Sequence, residues 1–271
     1  MPISSRGFPV QLTFDLDVET MWTSRDAKNI DRPILMSQGA YGWKIGADRI
    51  LALLARYEVL ATFFVPGLVI EQRQTLIERI LDHGHEIAHH SWSHAWITSL
   101  TADQEREEME RGFEIIKRVT GKVPAGYRSP AAEFSDITMD LLLEYEFGYS
   151  SNFFDDDSPY LHVVKGEQTG LVEFPFHWVL DDAPFFQYSI TLPGRTMQSS
   201  TDVEKTWKAE FDMLYSEDRA FTLAMHPQII GRPSRIVALE GLIKHIKAHD
   251  NIWFGRCCDV ADDLRPRLMR S

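Results

Sequence analysis

The chain has 271 residues, 44% hydrophobic and 25% charged, enough for one large α/β domain and ordinary for a globular protein. Its net charge of −12 and lack of a basic stripe argue against nucleic-acid or anionic-membrane binding. Only Cys257 and Cys258 occur, adjacent and without a second pair, so neither a disulfide framework nor a cysteine metal site is expected. No basic segment followed by an apolar run opens the chain and no apolar run is long enough to span a bilayer, so the expected location is cytoplasmic.

In chain order, Val10–Phe14 reads as a strand running into acidic residues. Residues 46–57 carry Ile50, Leu53, Leu54 and Tyr57 at helical spacing. Leu60–Val65 is a buried strand closed by Pro66-Gly67, 70–83 a helix, and Glu86–Ala88 a short strand. A helix follows over Thr101–Val119, opened by the Thr101/Gln104 capping pattern and ended by Gly121. Ala125–Arg128, Val172–Phe176, Ser189–Leu192, Phe221–Met225 and Ile252–Phe254 read as strands. Helices are expected over 136–146, 202–217 and 234–248. Strands separated by helices imply βαβ units, a mainly parallel sheet and one domain over 1–271. Two irregular stretches, 20–45 and 150–187 (its first part, 150–171, a long loop), are expected to shape a substrate site.

The polar residues fall in a pattern. Asp15, Asp17, His90, His94, Arg128 and His226 all sit at or just after the C-terminal ends of predicted strands, the rim where catalytic groups of a parallel barrel converge. His90 and His94 are spaced i, i+4, which on a helical turn puts two imidazoles within reach of one divalent ion. Two solvated surface histidines are the plainer alternative. For His83, His85 and His89 that plainer reading is preferred.

Alternation along the first strand places Asp15, Asp17 and Glu19 on one side, a cluster that cannot be buried as anions without a cation or positive partner. Two histidines and one carboxylate make a common catalytic metal shell, leaving another carboxylate free as a base. Arg128, beside Pro130, can pair with a rim carboxylate. His226, ending a hydrophobic strand, is placed to protonate a leaving nitrogen. The aromatics Tyr41, Trp43, Phe153, Phe154, Phe185 and Phe186 are candidate pocket walls, or anchors of a loop or oligomer contact.

TFDLD, HSWSH, RSP, FHWVLDD and LAMHP, in this order and over about residues 9–260, resemble the polysaccharide-deacetylase (NodB-homology) family. The resemblance implies a distorted (β/α) barrel and a metal held by Asp17, His90 and His94. It implies Asp15 as base, Arg128 as its orienting arginine, and His226 as acid tuned by Asp181 or Asp182. Trp178 falls where the family has an aromatic wall, and Glu19, Trp22, Tyr41, Trp43, Pro130, Phe154 and Phe185 complete the expected substrate contacts. Leu16 separates the two aspartates where the family pattern has them adjacent, so either can be ligand or base. That form resembles the branch with peptidoglycan-deacetylase-like, allantoinase-like and cyclic-imidase-like proteins.

The expected function is therefore hydrolysis of a non-peptide carbon–nitrogen bond with one divalent ion, zinc first, with iron, cobalt, nickel and manganese also compatible. The substrate expected is a small cyclic or linear amide. The alternatives are N-acetyl removal from peptidoglycan or polysaccharide sugars, and an inactive binding barrel. A homo-oligomer is expected.

Overall fold

The computed structural model describes residues 3–188 and 196–270. Strand β1 (Phe8–Asp15) is buried at every position because it is paired along its length. It runs parallel to β2 (Thr62–Val65), β8 (Phe221–Met225) and β9 (Ile252–Phe254), with Phe14 opposite Phe63 and Met225. β3 (Glu86–His89), β4 (Gly126–Tyr127) and β5 (Tyr149–Ser150) extend the parallel sheet beyond β2. β7 (Glu167–Glu173) pairs with β5, and β6 (Tyr160–Val164) pairs antiparallel with β7 at the outer edge. The order is thus β6-β7-β5-β4-β3-β2-β1-β8, with β9 on β1. A single parallel bridge from Asp181 to Ala224 carries the chain after β7 onto β8, across the gap between the two ends of the sheet. This is the distorted (β/α) barrel expected from the sequence.

The main core lies between the sheet and the helices Ala47–Tyr57, Gln74–Asp82, Ser200–Ser216 and Pro233–Lys247. Among the described residues no helix is long and apolar enough to cross a membrane.

Several expectations need correction. The stretch 20–45 is mostly helical, with helices at Thr20–Thr23 and Pro33–Tyr41 and a wide turn at Gly42–Gly46 leading into the next helix. Its glycines, which read as loop punctuation, serve close packing: a Cβ on Gly39 would lie 2.6 Å from the Glu19 nitrogen. The stretch 150–171 holds the β6–β7 hairpin rather than a loop. The helix expected over 70–83 breaks at Arg73 into Gly67–Gln72 and Gln74–Asp82. A terminal helix, Cys257–Leu268, was not foreseen; it buries Cys257, Val260, Ala261 and Leu264. The strand expected at Ser189–Leu192 lies outside the described residues. The capping box at Thr101 and Gln104 forms as expected, on the Ala102–Thr120 helix.

Candidate active site

Asp15 ends β1, and the chain then turns sharply so that Asp17 also faces the rim. The turn puts Val18 at φ 47°, a left-handed conformation costly for a β-branched residue. Of the ten non-glycine residues with positive φ among the described residues, five (Val18, Ser91, His94, Ala131 and Ala132) sit at this rim. Backbone strain is therefore concentrated where the polar groups meet.

His90 and His94 do come together, with ring centroids 5.0 Å apart, but not on a helical turn. They lie on a loop after β3 with left-handed residues at Ser91 and His94. Glu108, on the Ala102–Thr120 helix, holds that loop. Its carboxylate accepts from Trp92 N at 3.0 Å, Ser93 N at 2.7 Å, Ser93 Oγ at 2.8 Å and the Ser91 hydroxyl.

Asp17 is the hub. Its Oδ1 lies 3.3 Å from His90 Nε2 and 3.5 Å from His94 Nε2, and its Oδ2 lies 3.6 Å from His226 Nε2. His90 donates from Nδ1 to the Arg128 carbonyl at 2.7 Å, which leaves Nε2 to face the carboxylate. Asp17 Oδ1 is buried without an aligned hydrogen bond. Burial alone would raise the Asp17 pKa, yet His94, His90 and His226 hold it well below the usual carboxylate range. Burial, reinforced by His90, pushes His94 down to about 4, the neutral state a ligand requires. Burial also opposes charge on His90, but Asp17 and Asp15 outweigh it and raise its pKa. An unsatisfied buried anion facing two imidazole nitrogens fits a cation, and Asp17, His90 and His94 have donor atoms close enough to share one.

Asp15 stands beside this triad. Arg128 Nη1 donates to Asp15 Oδ1 and to Thr13 Oγ1, both at 2.8 Å, while Nη2 donates to Ser151 Oγ at 2.8 Å. The guanidinium is sandwiched between Phe64 and Phe176, 4.2 and 4.8 Å from the ring centroids. On the other flank, His226 Nδ1 donates to Asp182 Oδ1 at 2.6 Å, and its backbone N–H to Asp182 Oδ2 at 3.0 Å. Burial disfavours a charged His226, but Asp182, Asp181 and Asp17 outweigh it and hold the imidazole pKa well above its ordinary value. Burial and the neighbouring Asp182 raise Asp181 to about 7.

These groups line a cavity of about 550 Å³, of the size small-molecule sites have. Asp15, Asp17, His90, His94, Arg128, Trp178 and His226 all reach it, and Asp182 stands behind His226. Sequence reasoning missed Met21, Arg25, Trp96, Phe176 and Gln187 in its wall. Phe176 opens the FHWVLDD motif and, with Gln187, lies in the flagged stretch 150–187, while Met21 and Arg25 belong to the flagged stretch 20–45; only Trp96 carried no signal.

Several expected substrate contacts lie elsewhere. Glu19 does not join the aspartates: the strand ends first, and its carboxylate accepts from Trp43 Nε1 at 2.8 Å and pairs with Arg73 at 3.4 Å. Trp22 is buried in the main core. Tyr41 donates to the Gly231 carbonyl at 3.2 Å, and Phe185 packs against Phe186 and Trp207. Phe154 backs the wall, 5.1 Å from Trp178 and 5.4 Å from Phe176. Pro130 opens the short Pro130–Ala132 turn whose alanines line the cavity.

Fold and rim together define an α/β barrel with a candidate metal triad flanked by a carboxylate and an imidazole, the equipment of a hydrolase. A family model for polysaccharide deacetylase matches residues 40–150. A peptidoglycan deacetylase of Helicobacter pylori is 32% identical, over 95% of this chain and 96% of that protein. A solved structure of a candidate polysaccharide deacetylase from Mycobacterium smegmatis is 34% identical, with TM-score 0.92, covering 98% of this chain and 94% of the other. An allantoinase structure shares the fold, at 23% identity and TM-score 0.84, over 97% of this chain and 92% of its own. The chain belongs to the polysaccharide deacetylase family.

Proposed function

We propose that the chain hydrolyses a non-peptide carbon–nitrogen bond of a small soluble amide, cyclic or linear, with one divalent ion held by Asp17, His90 and His94. The observation that carries this reading is the form of the cavity. Met21 and Arg25 close it from one flagged stretch, and Phe176, Trp178, Ala183, Pro184 and Gln187 from the other. Walls drawn from both stretches suit a compact substrate better than a polymer strand, which needs an open groove.

The ion, zinc first and iron, cobalt, nickel or manganese next, supplies Lewis acidity when bound, activating water and polarising the amide carbonyl. Asp15, held in place by Arg128, accepts a proton from the attacking water. His226 carries the proton for the departing nitrogen on Nε2, because Asp182 engages its Nδ1–H and stabilises the imidazolium. Trp178 and Trp96, each partly exposed at the mouth, flank the substrate. The same reading has the enzyme working in the cytoplasm, as a homo-oligomer that covers exposed apolar side chains such as Ile30 and Ile34.

A second reading, removal of N-acetyl groups from peptidoglycan sugars, is favoured by the 32% identity to the Helicobacter pylori protein over nearly the whole chain. Turnover of succinimide, hydantoin and allantoin against N-acetylglucosamine oligomers separates the two. Ring opening without acetate release is the expected result; acetate release alone would replace the first reading with the second.

A further inference from the structure

A second group of metal-ligating side chains lies on the outer helical layer, and none of it lines the catalytic cavity. Asp212 comes from the Ser200–Ser216 helix, His245 from the last turn of the Pro233–Lys247 helix, and His249 from just beyond that helix's end. His245 Nε2 lies 2.6 Å and His249 Nε2 3.6 Å from the same oxygen, Asp212 Oδ1. The two histidines are spaced i, i+4, the interval that lets neighbouring imidazoles share one ion.

Two features go beyond proximity. His249 Nδ1 donates to the His245 carbonyl at 3.0 Å, so in the neutral ring the Nε2 lone pair is aimed at an anionic oxygen. A cation between them relieves that opposition, in place of the proton through which His245 Nε2 now donates to the same oxygen at 2.6 Å. The rings are also held in position from behind. Phe211 meets both histidines edge-on, with centroids 5.9 and 5.0 Å away, and Tyr215 meets His249 at 4.9 Å. The three ligand side chains remain between 27% and 49% exposed, so an ion can enter from solvent.

We propose that Asp212, His245 and His249 form a second site for a divalent transition-metal ion of the zinc, copper or nickel class, stapling the two outer helices together. Two imidazoles and one carboxylate select such ions over magnesium or calcium, which prefer all-oxygen shells. Binding to the folded state alone raises the melting temperature as zinc increases.

The test is equilibrium dialysis of the full chain against zinc chloride, comparing wild type, His249→Ala, His90→Ala/His94→Ala and the triple variant. The expected zinc contents are two, one, one and none per chain. One ion in wild type and one in His249→Ala would overturn the second site while leaving the catalytic one. One ion in wild type, none in His249→Ala and one in the double variant would uphold the second site and sink the catalytic triad. In the His90→Ala/His94→Ala background, zinc should raise the melting temperature and magnesium should not. A zinc-induced rise that survives addition of His249→Ala would contradict the proposal.

Discussion

At the scale of single residues, the site divides labour between two aspartates that the sequence alone left interchangeable. Asp17 faces three imidazoles, whereas Asp15 faces a guanidinium. His90→Ala and His94→Ala should therefore lose the ion of this site and activity together, while Asp15→Asn should keep that ion and lose turnover. Metal analysis of purified Asp15→Asn checks this, and loss of the ion would reverse the two assignments. Replacing His226 with alanine should lower kcat by roughly 10²–10⁴, the range of general acid catalysis, with metal content unchanged.

Asp182 makes a pH prediction. His226 must hold its proton to act as the acid, so activity falls as pH rises through its pKa, which Asp182 keeps raised against the effect of burial. Asp182→Asn removes that anion, so the alkaline limb of the rate profile should move to lower pH; an unmoved limb would remove His226 from the acid role.

The polar groups that meet at the cavity were legible because they fall at or just after the ends of predicted strands. The wall residues were not: Met21, Trp96 and Gln187 are ordinary residues made relevant only by tertiary placement, and Phe176 opens FHWVLDD without any sign that it lines the cavity. Tyr41, Trp43 and Phe185 show the converse. Their aromatic character is spent on hydrogen bonds and ring packing away from the cavity.

At the scale of elements, the loop from His90 to His94 depends on a residue far from any motif. Glu108 satisfies two backbone N–H groups that would otherwise be unpartnered around the strained turn. Glu108→Ala should cost on the order of 1–3 kcal/mol, the penalty for orphaned buried donors. It should also weaken metal affinity by about 10–100-fold, as loss of outer-shell support does. Denaturant unfolding and chelator competition measure the two effects, and an unchanged affinity would show that the loop holds itself. Gly39 plays a similar part for Asp17. A side chain there would press on the Val18–Glu19 backbone, so Gly39→Ala should destabilise by about 1–3 kcal/mol, as overpacking does. The stretch around Gly39 was expected to be irregular, whereas Pro33 starts a helix and Gly39 and Gly42 admit close neighbours. The i, i+4 spacing pointed to two rings that do meet, but by another local geometry: two left-handed residues, not a helical turn, bring His90 and His94 together.

At the scale of the molecule, regular alternation of apolar runs with helical patterns was enough to read a mainly parallel sheet, and the family resemblance implied the distorted barrel. Its irregularities were not readable, because each depends on distant pairing. The antiparallel β6 strand is a short apolar run between polar neighbours, and among the described residues the ring's ends meet only through the Asp181–Ala224 bridge. The terminal helix escaped notice because Pro266 and a run of charges mask its apolar face, which packs against Phe64, Tyr149 and Phe174. What the barrel does for the chemistry is to bring residues separated by more than 200 positions, Asp17 and His226, within 3.6 Å around one cavity.

On the proposed reading, this cavity works through an ion held by Asp17, His90 and His94. The most direct measurement is the ring-opening rate of succinimide by chelator-treated protein before and after stoichiometric zinc is returned. The expected result is negligible turnover after chelation, full recovery with zinc, and no recovery in His90→Ala/His94→Ala. Turnover that persists in the metal-free chain, or returns with zinc in that double variant, would contradict it.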